Sequence, residues 1–298
     1  HFMSVAVIIL ILCIVINSLI SLVFKLFSRF KINIFYAILI NYIVCVITGS
    51  LYLGHMPLAI ESVKEIWFPY SAVLGFIFVI VFTIYGNSVK YFGIVISTIF
   101  QKMSMLSPAI IAIAVFNEDL NWSKALGIAV GILSIIFLSY HKSEKRENSG
   151  PTIPKKFWFL PLSVFLGSCI IDSTLFLMEA KKIAPSGDIS FVIHLFFFAF
   201  VAGLVLLILQ LVKGNRVRLE KKDIIAGICL GIPNFFSIYL LMEVIASGWD
   251  GSVVFPINNV GILSCSAIMG FIIFRERITQ SKIVGLIMAI IAIVLISY

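Results

Sequence analysis

The stretch Phe116-Asn117-Glu118-Asp119-Leu120-Asn121-Trp122-Ser123-Lys124-Ala125-Leu126-Gly127 is polar, short, and set between two long apolar runs. It returns near the end of the chain as Phe274-Arg275-Glu276-Arg277-Ile278-Thr279-Gln280-Ser281-Lys282-Ile283-Val284-Gly285. One fixed offset lays Phe116 on Phe274, Glu118 on Glu276, Ser123 on Ser281, Lys124 on Lys282 and Gly127 on Gly285. Carried on, the same offset pairs Ile132 with Ile290, Ile135 with Ile293, Ser139 with Ser297 and Tyr140 with Tyr298. A register held over that length reads as two copies of one unit.

Composition says what kind of unit. The chain has 298 residues, of which 61% are hydrophobic and 12% charged, and its mean hydropathy is +1.14. A soluble domain of this size has no means of hiding so much apolar surface. The charges cluster between apolar runs of about 20 residues, the length a helix needs to cross ~30 Å of hydrocarbon. Phe is abundant, at 27 residues, which suits lipid-facing and helix-packing surfaces. The net charge of +8 comes mainly from loops on one side, so it does not point to nucleic acid. The cysteines (Cys13, Cys45, Cys169, Cys229 and Cys265) all fall inside apolar runs, with no CxxC pair. They read as buried thiols rather than as a disulfide framework or zinc site, and no cofactor or metal is expected. No small-residue cleavage pattern follows the first run, which reads as a span.

Ten apolar segments can be marked, at roughly 4–24, 33–54, 69–89, 94–116, 122–140, 157–180, 188–212, 223–246, 251–274 and 280–298. In a bilayer they must be helices, because an open strand would leave backbone groups unpaired. The hydrophilic stretch 141–156, with His141, Lys142, Glu144, Lys145, Arg146 and Glu147, has linker composition. The expected organisation is a first five-helix unit over 3–140, the linker, and a second unit over 157–298. With an odd helix number per unit, the second copy enters the membrane from the opposite side. The expected fold class is therefore all-α and polytopic, with ten transmembrane helices arranged as two inverted five-helix repeats.

Lys and Arg crowd the loops after segments 1, 3, 5, 7 and 9, as in Lys25, Arg29, Lys31, Lys90, Lys142, Arg216, Arg218 and Arg275. The opposite side holds only Lys64, Lys124, Lys181 and Lys182. The positive-inside bias then puts both termini outside the cytoplasm.

The run Leu106-Ser107-Pro108-Ala109-Ile110, followed by Phe116-Asn117-Glu118-Asp119-Leu120 and then Gly127 and Gly131, resembles the fourth and fifth helices of an EamA-type domain. Phe274-Arg275-Glu276-Arg277-Ile278 with Gly285 is similar to the same element in a second such domain, although Ser266 stands where Pro108 would fall and the proline has moved to Pro256. Two such domains imply a ten-helix member of the drug/metabolite transporter superfamily, with a cavity walled by helices 1, 3, 4, 6, 8 and 9. Glu118 and Glu276 each precede a helix start, where a carboxylate caps free amides.

Ionisable groups inside spans are expensive and are functional candidates by default. Lys102 lies about eight residues into the fourth segment, ~12 Å along a helix. Thr98, Gln101, Lys102 and Met105 follow i, i+3, i+4, i+7 spacing, which puts them on one helical face. Lys102 reads either as a cation for a substrate carboxylate or phosphate, or as a lysine locked to an acidic neighbour. Asp172 and Glu179, in the sixth segment with Ser168, are the coupling candidates, Asp172 the first. It could take up a proton, bind a substrate amine, or serve a structural ion pair. Glu179 lies near the outer end of that segment. Asn17-Ser18 in the first segment takes the place of Asp172-Ser173 in the other copy. Gln101, Thr98, Asn17, Asn87, Asn234, Asn258 and Asn259, with Lys102, form the candidate substrate-binding set. His194 reads as a structural histidine. Tyr36, Tyr42, Trp67 and Tyr70, near span ends, read as interfacial anchors.

These features point to a secondary active transporter in a bacterial cytoplasmic (inner) membrane. The expected cargo is a small polar metabolite, an amino acid or related zwitterion, moved outward and coupled to protons. Organic cations or drugs, and sugar- or nucleotide-type metabolites, stay open as alternatives, with an intramembrane enzyme or a channel behind them. Partners are the bilayer, the small molecule and protons, with no nucleic acid, and the assembly is a monomer or homodimer. An intramembrane enzyme would need a nucleophile or paired acids at depth, and GxGD, GxSxG and HExxH are absent from the sequence. No Walker run is present to bind ATP.

Overall fold

The computed structural model describes residues 2–116, 121–140, 157–181, 183, 189–213, 218–247, 251–275 and 279–296. Among them all regular structure is helical. The helices are α1 (Phe2–Arg29), α2 (Ile34–Leu53), α3 (Phe68–Phe92), α4 (Ile94–Lys102), α5 (Leu106–Phe116) and α6 (Trp122–Tyr140). They continue with α7 (Leu160–Ala180), α8 (Ile189–Val212), α9 (Lys221–Ala246), α10 (Gly251–Ile272) and α11 (Gln280–Ile296). Among the described residues seven stretches are long and apolar enough to cross a membrane: Val5–Arg29, Ile34–Leu53, Phe68–Phe92, Ile94–Val115, Leu160–Met178, Ile189–Val212 and Lys221–Leu241. Three shorter apolar stretches, Trp122–Ile135, Ile257–Ile272 and Ile283–Ile296, lie in the remaining helices. Each apolar segment marked in the sequence carries helix. Glu118, Glu276 and the linker lie outside the described residues.

The fourth segment departs from a single helix. It breaks after Lys102 into a 3-10 turn, Met103–Met105, before α5 resumes. Pro108 gives the reason. It has no N–H to offer the carbonyl of Ser104, four residues back, and its ring crowds that carbonyl. That carbonyl takes the backbone N–H of Leu106 and also lies 3.9 Å from Cys169 Sγ of α7. The face shared by Thr98, Gln101, Lys102 and Met105 is therefore interrupted, because a 3-10 turn advances by 3.0 residues rather than 3.6.

Gly93 alone joins α3 to α4. Its φ of 88° and the bond from its N–H to Val89 O close α3, and α4 begins at the next residue. A side chain at that φ would clash with its own backbone, which is why glycine serves there.

The packing pairs are α2 with α9, α3 with α8, α1 with α9, α3 with α7, α1 with α10, α7 with α4 and α5, α2 with α8, and α6 with α11. Exchanging α1 with α7, α2 with α8, α3 with α9, α4–α5 with α10 and α6 with α11 carries the two strongest α2 and α3 pairs, α2 with α9 and α3 with α8, into each other, but it does not carry over the packing of α3 on α1 and α2. Close approach is set by glycines. A Cβ on Gly227 would stand 2.4 Å from Ile40 Cβ, and one on Gly75 would stand 2.7 Å from the Ala199 backbone nitrogen. Small residues of this kind let membrane helices touch. The largest buried cluster gathers Phe24, Phe27, Tyr42, Tyr85, Phe196 and Phe235 from α1, α2, α3, α8 and α9. Outward faces remain apolar, as at Ile8, Leu12, Leu51, Ile208 and Val212, which suits contact with acyl chains.

Several aromatic and thiol expectations change here. Trp67, Tyr36 and Tyr42 are buried within the bundle, and of that set Tyr70 is the one exposed. Trp67 packs edge-on against Phe191 and His194, so it holds α3 to α8 instead of marking an interface. His194 Nδ1 lies 2.7 Å from Ser190 O and its ring meets Trp67, a structural placement. Cys13 and Cys45 are buried, whereas Cys229 is exposed on the outer face of α9.

Candidate functional site

The break in the fourth span is where polar chemistry gathers. Ser104 Oγ is bonded to Asp172 Oδ2 of α7 and lies 2.5 Å from the carbonyl of Gln101. One turn on, Ser107 Oγ donates to Cys169 O at 3.2 Å and is bonded to Ser173 Oγ. Both serines thus face the polar side of α7. Lys102 ends α4 and is half-buried. The groups whose charge reaches it are Asp172 and the Cys13 thiol of α1. Among the described residues no direct ion pair joins Lys102 to Asp172, so the two act on each other across a gap.

The opposite wall is uncharged. Cys13 Sγ faces Ser237 O of α9 at 3.3 Å and Asn258 Oδ1 of α10 at 3.7 Å. Asn17 Nδ2 lies 3.8 Å from Cys13 Sγ, and Asn259 Nδ2 lies 3.5 Å from Met105 Sδ. Thr98 belongs to a separate group, where Tyr85 Oη meets Ser21 Oγ at 2.6 Å and Thr98 Oγ1 at 3.2 Å. That group is buried and ties α1, α3 and α4 together.

Of the residues named from sequence, the structure brings Lys102, Gln101, Asp172, Asn17, Asn258 and Asn259 to the region of the break. It does not bring Asn234 there. Asn234 is buried in the α2–α9 seam and donates to Asn41 Oδ1 at 3.1 Å. Asn87 donates to Thr83 O at 2.8 Å and lines a cavity at one end of the bundle. The side chain of Glu179 lies outside the described residues. Sequence reasoning missed Ser104, Ser107 and Cys13. The two serines carried a signal, since they lie three residues apart next to Pro108, where a helix is about to lose a bond.

That end cavity has a volume of about 710 Å³ and opens among the Lys- and Arg-rich ends of α1, α3 and α9. Thr83, Asn87 and Phe27 line it, and Lys31, Lys90, Arg218 and Lys222 surround it with the carboxylates Glu220 and Asp223. Both carboxylates are engaged. Asp223 accepts from the backbone N–H of Asn33 at 2.9 Å and of Glu220 at 3.1 Å, capping α9 and anchoring α2 beside it. Glu220 pairs with Lys222 at 2.9 Å, and this bond holds its carboxyl below the usual range. The mouth therefore keeps a positive excess. Lys31 sits at φ 52°, in a left-handed position usually given to glycine, and closes α1 through the bond from Ile32 N to Phe27 O.

Among the described residues no group of three or more His, Cys, Asp or Glu is placed to hold a metal ion. What the centre offers is a cation, a carboxyl and several amides, which suit binding and proton exchange.

The sequence pattern of the EamA-like transporter family matches residues 150–298, half of the chain. A Haemophilus influenzae protein, described as an uncharacterized protein, is 29% identical over 231 residues, covering 77% of this chain and 75% of its own length. A crystal structure titled only as that of a protein superposes with a TM-score of 0.59 at 12% identity. That likeness covers 98% of this chain and 96% of the other, and speaks to the fold alone. The chain is an integral multi-pass membrane protein and belongs to the EamA-like transporter family.

Proposed function

We propose that this protein is a secondary active transporter that moves a small polar metabolite, an amino acid or related zwitterion, by alternating access of two inverted five-helix units. The observation that carries the reading is the break in the fourth span, where Lys102 ends α4 and Asp172 of α7 is bonded to Ser104, beside the amides of Asn17, Asn258 and Asn259. A zwitterion presents a carboxylate to the one and an amine to the other, while amides serve either end. Broken helices at the midplane are a recurring site of substrate and ion binding in such transporters. The packing of α2 on α9 and of α3 on α8, which a two-fold exchange of the units would interconvert, supports two related units. The cavity at the Lys- and Arg-rich end supports an entry route from the cytoplasm, hence export, and Asp172 is the proton-coupling group.

The test uses purified protein. A thermal-shift screen of metabolites selects ligands, because a compound that binds only the folded state raises the unfolding midpoint. Proteoliposomes then compare uptake of the best ligand by wild type, Lys102→Gln and Asp172→Asn. Uptake should drop at least about tenfold for Lys102→Gln, the loss of one charge-assisted contact. Asp172→Asn should make the rate insensitive to an imposed proton gradient. Normal transport by both variants, for every ligand that shifts the wild type, would sink the site assignment.

A further inference from the structure

A hydroxyl carries one proton. Ser104 Oγ nevertheless lies within hydrogen-bonding distance of two acceptors, the carbonyl of Gln101 at 2.5 Å and Asp172 Oδ2. A single O–H does not satisfy both. The arrangement closes when a second proton sits on Asp172. The acid then donates to Ser104 Oγ, and Ser104 donates to Gln101 O. The Gln101 carbonyl belongs to the last turn of α4, at the point where the ladder tightens into the 3-10 turn, and Lys102 is the next residue.

We propose that Ser104 is a positioning residue through which a proton on Asp172 holds the break in the fourth span. The proposal rests on the coupling role assigned above to Asp172. When Asp172 releases its proton to water, its carboxylate only accepts. Ser104 must then turn its O–H to the carboxylate, and the Gln101 carbonyl loses that donor. The turn carrying Lys102 is freed at the moment a negative charge appears beside it. Proton release and a change in the lysine's position thus become one event.

The surroundings of Asp172 leave few other groups to do this. Lys102 faces it from α4 and Cys169 lies one turn back on α7. The α5 segment has no charged residue, and the charged residue of α3, Lys90, lines the end cavity. Cys13 of α1 acts on Lys102. Tyr85 of α3 is engaged with Ser21 and Thr98. The device is confined to one unit. At the offset that aligns Phe116 with Phe274, the counterpart of Ser104 is Ile262 and that of Asp172 is Ile14.

The test needs no substrate. Hydrogen exchange of the purified full chain in lipid nanodiscs is followed by mass spectrometry over residues 101–106, from acid to mildly alkaline pH, with intrinsic base catalysis divided out. In wild type, corrected exchange should rise about tenfold as Asp172 loses its proton, the effect of one net hydrogen bond. Ser104→Ala should abolish that rise, and Ser104→Thr, which keeps the hydroxyl, should restore it. Asp172→Asn, whose amide donates at every pH, should stay protected throughout. If Ser104→Ala tracks wild type while Asp172→Asn is flat, the serine link is overturned and the coupling role of Asp172 stands. If wild type itself shows no pH-dependent rise, both fall.

Discussion

At the scale of single residues, burial decides whether a polar side chain serves the fold or a ligand. Asn234 and Asn41 illustrate the first case. Both are buried, their side chains are bonded to each other, and Asn41 Nδ2 has no further partner. Asn234→Leu leaves Asn41 Oδ1 only the weak Cys45 thiol donor and should lower stability by about 1 kcal/mol, the scale of an interhelical hydrogen bond in a membrane. Adding Asn41→Leu should recover much of that loss, because two apolar groups leave nothing unsatisfied. Unfolding midpoints of the three variants give the comparison. Ligand-induced shifts measured in parallel separate packing from binding: a seam residue leaves them unchanged, and a substrate contact removes them. Nothing near Asn234 in the sequence announced this partner, since Asn41 lies 193 residues away along the chain. Lys102 and Asp172 were legible for the opposite reason. Charges within apolar runs stand out whatever the fold, because hydrocarbon makes them costly.

At the scale of helices, the α2–α9 seam is governed by glycine. A methyl on Gly227 would come within 2.4 Å of Ile40 Cβ and 2.8 Å of the Ala37 carbonyl. Neither atom can swing aside without moving α2. Gly227→Ala should therefore cost about 1–3 kcal/mol, the range for overpacking a rigid contact. Gly203 makes a useful control. Its added methyl would meet the end of the Leu39 side chain, Cδ1, at 2.7 Å. That atom can change rotamer, so Gly203→Ala should lower the midpoint by less than Gly227→Ala. Equal losses would mean that the seam yields as readily as a single side chain. Gly227 and Gly231 stand four residues apart in the sequence, a spacing that suits close helix packing. The break between α4 and α5 was not visible there, although its cause, Pro108, was in view. A proline tells where a helical bond is lost, but neighbouring groups decide whether the chain bends, tightens or carries on.

At the scale of the whole molecule, the cavity lined by Asn87 lies at the Lys- and Arg-rich end, which the proposed orientation turns to the cytoplasm. Asn87→Cys should react with a membrane-impermeant maleimide in inverted vesicles and resist it in right-side-out vesicles, with the parent protein as blank. Labelling from the outside alone would reverse the assigned orientation. The sequence by itself determined that the chain is helical and membrane-spanning. Runs of about 20 apolar residues in hydrocarbon admit no other backbone solution. It also marked the repeated register and the costly charges at depth. Only the tertiary structure decided which polar groups meet. A helix that is apolar all round gives no periodic hint of which face meets protein and which meets lipid. Trp67 and Tyr42 turned out to be buried, Asn234 found Asn41, and Ser104 found both Asp172 and the Gln101 carbonyl. Most of these meetings join residues far apart in the chain, and they are fixed by how closely helices pack rather than by local preference.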